Sequence, residues 1–201
     1  MLKEFRPAFV LLLALSVITG LLYPLAMTGL AERLFPSQAH GSVLTRDGQV
    51  VGSSLIGQEF KGDGYFHGRP SATLAPDPQD ASKTVPQPYN ASNSMGSNLG
   101  PTSQALNDRV KADTEKLRAD NPSMQVPVDL VTTSGSGLDP DISPDGALFQ
   151  VPRVARVRNL PADRVRQLVD AHTEGRFGGL LGEPHINVLA LNLALDAASV
   201  K

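Results

Sequence analysis

The run from Pro7 to Ala31, PAFVLLLALSVITGLLYPLAMTGLA, holds twenty-five residues without one charged side chain. A helix rises about 1.5 Å per residue, so some twenty such residues cross a hydrocarbon core about 30 Å thick. Inside lipid no water is at hand for a backbone amide or carbonyl, and a helix satisfies both within itself. The run therefore predicts a transmembrane helix over 8–31, with residues 1–7 before it and a domain over 32–201 behind it. Pro24 falls late, where a kink near the interface is tolerable, and Tyr23 sits where an amphipathic aromatic meets headgroups. Ser16 and Gly20 lie four apart, the spacing at which small residues let a second helix approach.

The flanks set the orientation. Lys3, Arg6 and the α-amino group precede the run against Glu4 alone, while Glu32 and Arg33 behind it cancel. A positive-inside bias keeps the N-terminus in the cytoplasm and sends 32–201 across the membrane. The rival is a cleaved secretory signal ending near Ser37-Gln38-Ala39. The uncharged run is longer than the apolar core of about 7–15 residues that such signals carry, which favours a retained anchor. Both readings place the domain outside the cytoplasm.

Behind the span, 170 residues suffice for one domain. A net charge of −2 argues against a nucleic-acid binder. With no cysteine, the chain uses neither disulfides nor thiolate metal sites, and no thiol enzyme is possible.

In the domain, Ser42-Val43-Leu44-Thr45 and Gln49-Val50-Val51 flank Asp47-Gly48, the signature of a type I′ hairpin, with the second strand extending toward Leu55-Ile56. Residues 61–102 are crowded with Gly and Pro, and the aromatics beside the turn formers predict an ordered but irregular surface, with Thr73 to Gln87 its most mobile part. Residues 103–119 read as an amphipathic helix capped by Ser103, with Leu106, Val110 and Leu117 on its apolar stripe. Asp108–Lys111 and Glu115–Arg118 are its expected ion pairs. Gln125 to Val131 alternates like a strand. Ser143-Pro144 opens a helix that Pro152 is expected to divide into 145–151 and 153–158. Leu160 and Val165 have the spacing of a hydrophobic staple on a helix reaching Ala171. A last helix, 188–197, is capped by Asn187 and preceded by a short extended piece. The fold class is mixed α+β: a β-hairpin, a long irregular loop segment, and three to four helices on one N-terminal transmembrane helix.

Few constellations carry chemistry. Ser134-Gly135-Ser136-Gly137 offers backbone amides to an anion, or is a turn needing glycine; it lacks the Lys-Ser/Thr of a phosphate-binding loop. Asp139, Asp141, Ser143 and Asp145 alternate like calcium ligands, but Pro144 and Gln150 stand where glycine and a bidentate Glu belong, so an acid-rich helix start is the better reading. His40, His67, His172 and His185 show no metal-ligand spacing, and no Gly-x-Ser-x-Gly elbow is present. Neither a metal site nor a catalytic residue is assigned. Arg153, Arg156, Arg158, Arg164 and Arg166 form a basic stretch, read equally as a solvated face or as a patch for headgroups or an acidic partner.

Certain stretches together resemble one family. They are Gly52-Ser53-Ser54-Leu55-Ile56-Gly57-Gln58, Tyr65-Phe66-His67-Gly68-Arg69-Pro70-Ser71-Ala72, and Tyr89-Asn90 leading to Gly96-Ser97-Asn98-Leu99-Gly100-Pro101. With them come Asp129 to Pro140, Gln150-Val151, Arg153-Val154-Ala155 and Asn192-Leu193-Ala194-Leu195-Asp196. In order and over nearly the whole chain, they resemble the C subunit of the bacterial Kdp potassium-transporting ATPase. Met95, Asp141 and His185 depart from the pattern, where glycine, His and Arg are usual. The resemblance implies a non-catalytic accessory subunit beside a channel-like A subunit, an ATP-hydrolysing P-type B subunit and a small F subunit. It further implies a catalytic chaperone that raises the ATP affinity of the B subunit. No tightly bound cofactor is expected, and ATP acts through the complex, direct binding being left open.

The expected contact residues are Gln58, Tyr65, Phe66, Arg69, Pro70, Ser71, Tyr89, Asn90, Ser97, Asn98, Ser134, Gly135, Ser136 and Gly137. Ser16 and Gly20 serve packing within the bacterial inner membrane. Arg69→Ala or Asn98→Ala is expected to loosen assembly without changing how the domain melts. The alternative is an anchored binding module in which Arg69 and 134–137 hold an anionic ligand. An extracytoplasmic hydrolase would need a triad that the sequence does not display.

Overall fold

The structure is a computed structural model describing residues 2–199, without the side chain of Leu2. Met1, Val200 and Lys201, the outermost residues of the expected N-terminal segment and domain, lie outside the described residues. The chain divides into two compact units, 1–43 and 44–201.

The first unit is built on one long helix: α1 (Leu2–Val17), a π-turn (Ile18–Leu22) and α2 (Tyr23–Leu34), with a short α3 (Pro36–Ala39) after it. Lys3–Leu34 is the one described helix long and apolar enough to cross a membrane, and its apolar window is wholly exposed. Pro24 does not close the helix as a loosened end. Its ring crowds the carbonyl four residues back and it has no N–H to give. The preceding turn widens, the Tyr23 amide bonding to the Ile18 carbonyl five residues earlier, and the helix runs on to Leu34. Gly20 has open space around it, and the Thr19 hydroxyl turns back onto the Leu15 carbonyl.

The expected hairpin forms, β1 (Val43–Arg46) and β2 (Gln49–Ser53), all but Val43 of it in the second unit. Asp47 and Gly48 have φ of 51° and 77°, as a type I′ turn requires. β2 stops at Ser53, short of Leu55-Ile56. Within 61–102, the stretch expected to be most mobile contains a second hairpin, β3 (Leu74–Pro76) and β4 (Thr84–Pro86), with Ala75 opposite Val85. Its strands are three residues each with proline at their ends, too short for alternation to register.

α4 (Gln104–Asp120) starts at Ser103, whose hydroxyl accepts the Leu106 amide. Its half-buried face carries Leu106, Val110 and Leu117 as expected. Its ion pair, however, is Arg109–Asp113 at 3.2 Å, not Asp108–Lys111 or Glu115–Arg118. The expected strand 125–131 is instead extended chain ending in a 3-10 turn, Val128–Leu130. The Leu130 amide bonds back to the Pro127 carbonyl, and the Val131 and Thr132 amides and the Thr132 hydroxyl to the Val128 carbonyl, so those groups do not enter a ladder.

The core lies where α5 (Pro144–Arg158), α6 (Ala162–Ala171) and α7 (Val188–Ser199) meet a sheet of order β5-β7-β6 (β5 Asp141–Ile142, β6 Thr173–Glu174, β7 His185–Asn187). Val151, Val154, Val165, Val169, Ile186, Leu191 and Leu195 fill it. α5 is a single helix, capped by the Ser143 hydroxyl on the Gly146 amide. Pro152 sits on its exposed side, while Val151 and Val154 bind both halves to one core. Leu160 and Val165 bracket the start of α6 against that core. Asn187 Oδ1 caps α7 by accepting the Ala190 amide at 3.0 Å.

Candidate functional site

The irregular stretch around Tyr65-Phe66-His67 has no strand beside it, yet its backbone groups are bonded. Side chains from α5 and α7 replace the missing ladder. Asn192 accepts the Phe66 amide at 2.8 Å and donates to the Phe66 carbonyl at 2.9 Å. Gln150 does the same for His67, at 2.8 and 3.1 Å. Arg153 donates to the carbonyls of Asp63 and Tyr65, and Arg158 to that of Gly64. Arg158 also lies 4.4 Å over the Tyr65 ring and 2.8 Å from Asp196. The Phe66 groups would otherwise be buried without a partner, which is the reason so apolar a helix as α7 contains Asn192.

Two of the five arginines of the basic stretch thus turn inward. Arg153 is buried and Arg158 is tied to the 64–65 loop, so only Arg156, Arg164 and Arg166 remain on the exposed surface. The basic stretch is thus reduced to these three arginines, for which both readings stand.

Beside this clamp, a cleft of about 340 Å³ is lined by Lys61, His67, Lys116 and Arg153 together with Asp63, Asp113 and Asp120. Burial, reinforced by Arg153, lowers the His67 pKa below its ordinary 6.5. The native ring stays neutral where the unfolded one takes up a proton, so unfolding binds a proton in that window. Stability is complete above about pH 6.5 and falls as pH drops toward the native pKa. Chemical denaturation at pH 7.5 and 5.5 is expected to show this loss, and His67→Gln to reduce the difference; an unchanged difference in the variant would assign it to other groups.

Residues 69–73, 87–98 and 132–139 form the second half of the site. Arg69 reaches Asp139 at 3.1 Å and the carbonyl of Thr133 at 3.3 Å. Ser71 donates to the Gly137 carbonyl at 2.7 Å and accepts the Tyr89 amide at 3.0 Å. Tyr89, itself left-handed at φ 58°, donates its hydroxyl to the Arg69 carbonyl. Burial, with the nearby Asp139 charge, pushes that phenol up to about 12. Asn90 gives its side-chain amide to Leu74 and its backbone amide to the Thr73 hydroxyl. Gly137 is held at φ 67° where a Cβ would stand 2.5 Å from Thr73 and 2.6 Å from the Met95 carbonyl.

The 94–98 segment is zipped to the Ser-Gly-Ser-Gly loop. The Met95 amide bonds to the Ser136 carbonyl at 2.9 Å, Gly96 lies against Gly135, and Thr133 donates to Ser97. Within the loop, Ser134 accepts the Gly137 amide and Ser136 the Leu138 amide, so these two donors are already engaged.

The expected contact residues therefore separate into two layers. Arg69, Ser71, Tyr89, Asn90, Ser134 and Gly137 form the internal frame, with Pro70 between Arg69 and Ser71 on the wall of the cleft. Tyr65 and Phe66 belong to the clamp. Gln58 packs against Gly52 beside the first hairpin. Asn98, Gly135 and Ser136 are exposed, with Ser97 half-buried at their side. Arg69 is engaged inside the domain, so Arg69→Ala is expected to weaken the fold as well as any contact. Gln150, Asn192, Arg153 and Arg158 had not been assigned a role in the site. The signal was there: an amide in each of two otherwise apolar helix stripes, Leu148-Phe149-Gln150-Val151 and Leu191-Asn192-Leu193. Two of the departures from the family pattern, Asp141 and His185, lie on adjoining strands of one sheet, and Asp141 accepts from Asn187.

The family model of the K+-transporting ATPase c chain, KdpC, matches residues 5–197. A potassium-transporting ATPase KdpC subunit of Rhodopseudomonas palustris strain BisB5 is 71% identical over 201 residues, covering 100% of both chains. The KdpC subunits of Bradyrhizobium diazoefficiens and Methylobacterium nodulans are each 69% identical over 201 residues, again across both full lengths. A match from the apolar helix to the end of α7, at this identity, means that the chain belongs to the KdpC family, the c-chain subunits of K+-transporting ATPases.

Proposed function

We propose that the chain assembles the pump from the outer side of the membrane and raises the ATP affinity of its ATP-hydrolysing subunit without taking part in the chemistry. Its partners are a channel-like potassium-carrying subunit, the P-type ATPase subunit and a small third membrane subunit. The observation that carries this is the exposed edge at Asn98, Gly135 and Ser136, raised on a frame whose polar groups are engaged internally. Backbone-rich loops on a rigid scaffold are suited to recognition.

The N-terminal charges Lys3 and Arg6 support a cytoplasmic N-terminus and an outer domain. ATP is on the other side, so the effect on nucleotide passes through the span and the partner subunits. The exposed face with Ser16 and Gly20 supports close helix packing there.

The test is retention of the large subunits on the full-length chain in mild detergent. Asn98 is exposed but left-handed at φ 52°, where alanine would be strained, so the test uses Asn98→Gly, which is expected to lower the yield of complex several-fold while leaving thermal unfolding of the chain little changed. Unchanged yield, or an equal loss of fold stability, contradicts the assignment.

A further inference from the structure

Between β6 and β7 the chain makes a tight tip, Arg176-Phe177-Gly178-Gly179-Leu180-Leu181-Gly182-Glu183. It leaves three large apolar side chains in solvent: Phe177 is 83% exposed, Leu180 84% and Leu181 68%. The tip has a defined shape. The Phe177 amide bonds to the Leu181 carbonyl at 2.8 Å, the Leu181 amide returns to the Phe177 carbonyl at 3.1 Å, and Gly178 and Gly179 take φ of 60° and 76° between them. The Arg176–Glu183 ion pair, 2.7 Å, closes its base. None of these apolar groups contributes to the core, and single-protein surfaces seldom group such residues without a contact to make.

The rim indicates what covers them. Two exposed carboxylates, Glu174 and Glu183, stand against one guanidinium, Arg176, with the His185 imidazole 3.8 Å from Glu174. That rim offers no excess of basic side chains with which to hold an anionic bilayer surface. A second copy of the tip would bring the same excess of carboxylates to meet it. A protein pocket with apolar walls and a basic edge complements both parts, and a subunit of a multi-subunit ATPase has membrane neighbours to supply one. We propose that the Phe177–Leu180–Leu181 tip docks into an apolar, basic-rimmed pocket on another membrane subunit of the ATPase. This contact is separate from the Asn98–Ser136 edge and stands or falls independently of it.

The chain has no cysteine, so Leu180→Cys places a unique thiol at the tip. A thiol-reactive benzophenone attached there, photolysed in membranes holding the assembled complex, is expected to yield an adduct with the mass of this chain plus another ATPase subunit. An adduct with a second copy or with lipid alone overturns the proposal, as does no adduct in a complex that stays intact. The paired variant Phe177→Ser with Leu180→Ser is expected to reduce recovery of the complex at least several-fold on detergent dilution, with an unchanged unfolding midpoint. Full recovery overturns the proposal.

Discussion

Asn192→Leu is expected to destabilise the protein by about 2–6 kcal/mol, because it strands both backbone groups of Phe66 and each stranded buried group costs roughly 1–3 kcal/mol. Phe66 is fully buried and Asn192 nearly so, which leaves no route for water to replace the lost partners. The change conserves volume approximately, so little of the effect comes from a cavity. Denaturant unfolding of the full-length chain in detergent checks it: the midpoint drops while the slope stays the same. A loss under about 1 kcal/mol would mean that the Phe66 groups find other partners, and the clamp account would be wrong.

Gly137→Ala gives the second large loss, about 2–5 kcal/mol. A left-handed non-glycine residue costs roughly 1–2 kcal/mol, and an overpacked methyl roughly 1–3 kcal/mol. The added Cβ would meet Thr73 and the Met95 carbonyl, both inside the frame, so the strain spreads to the 71–73 and 94–97 segments. Gly135→Ala, two residues earlier, is the control. Nothing lies within 4 Å of a Cβ at that position, and its φ is not in the left-handed range. It is expected to be within about 0.5 kcal/mol of the parent, as exposed substitutions usually are. Equal effects at the two glycines would contradict the division into frame and edge.

Much of the scaffold is written locally, and that part was legible. Asp47-Gly48 carries its own turn, Ser143 and Asn187 carry their own caps, and Leu160 with Val165 carries its own staple. Features fixed by distant residues were not. Pro152 reads as a break until α5 is seen packed on the core along both its halves. The alternation at 125–131 does not show that the chain turns back on the Pro127 and Val128 carbonyls while Asp129 reaches forward to the Ser143 amide. At the site, the sequence lists Arg69 and the 134–137 loop among contact residues but cannot say which donors face inward. Arg69 looks like a free cation until Asp139, seventy residues away, is placed 3.1 Å from it. Likewise Arg153 and Arg158 resemble their exposed neighbours until the 63–65 carbonyls arrive from the opposite side of the fold.

The pump-level claim is that this chain alters ATP use without contributing to the reaction. ATP hydrolysis by the assembled complex, titrated with ATP, is compared before and after the domain is cut away behind Leu34 at an inserted protease site, with the large subunits checked to stay together. The account predicts a several-fold rise in the KM for ATP with kcat little changed, as expected of a domain that would act on nucleotide affinity from outside the catalytic centre. A KM that does not move, or a kcat that collapses at saturating ATP, contradicts it.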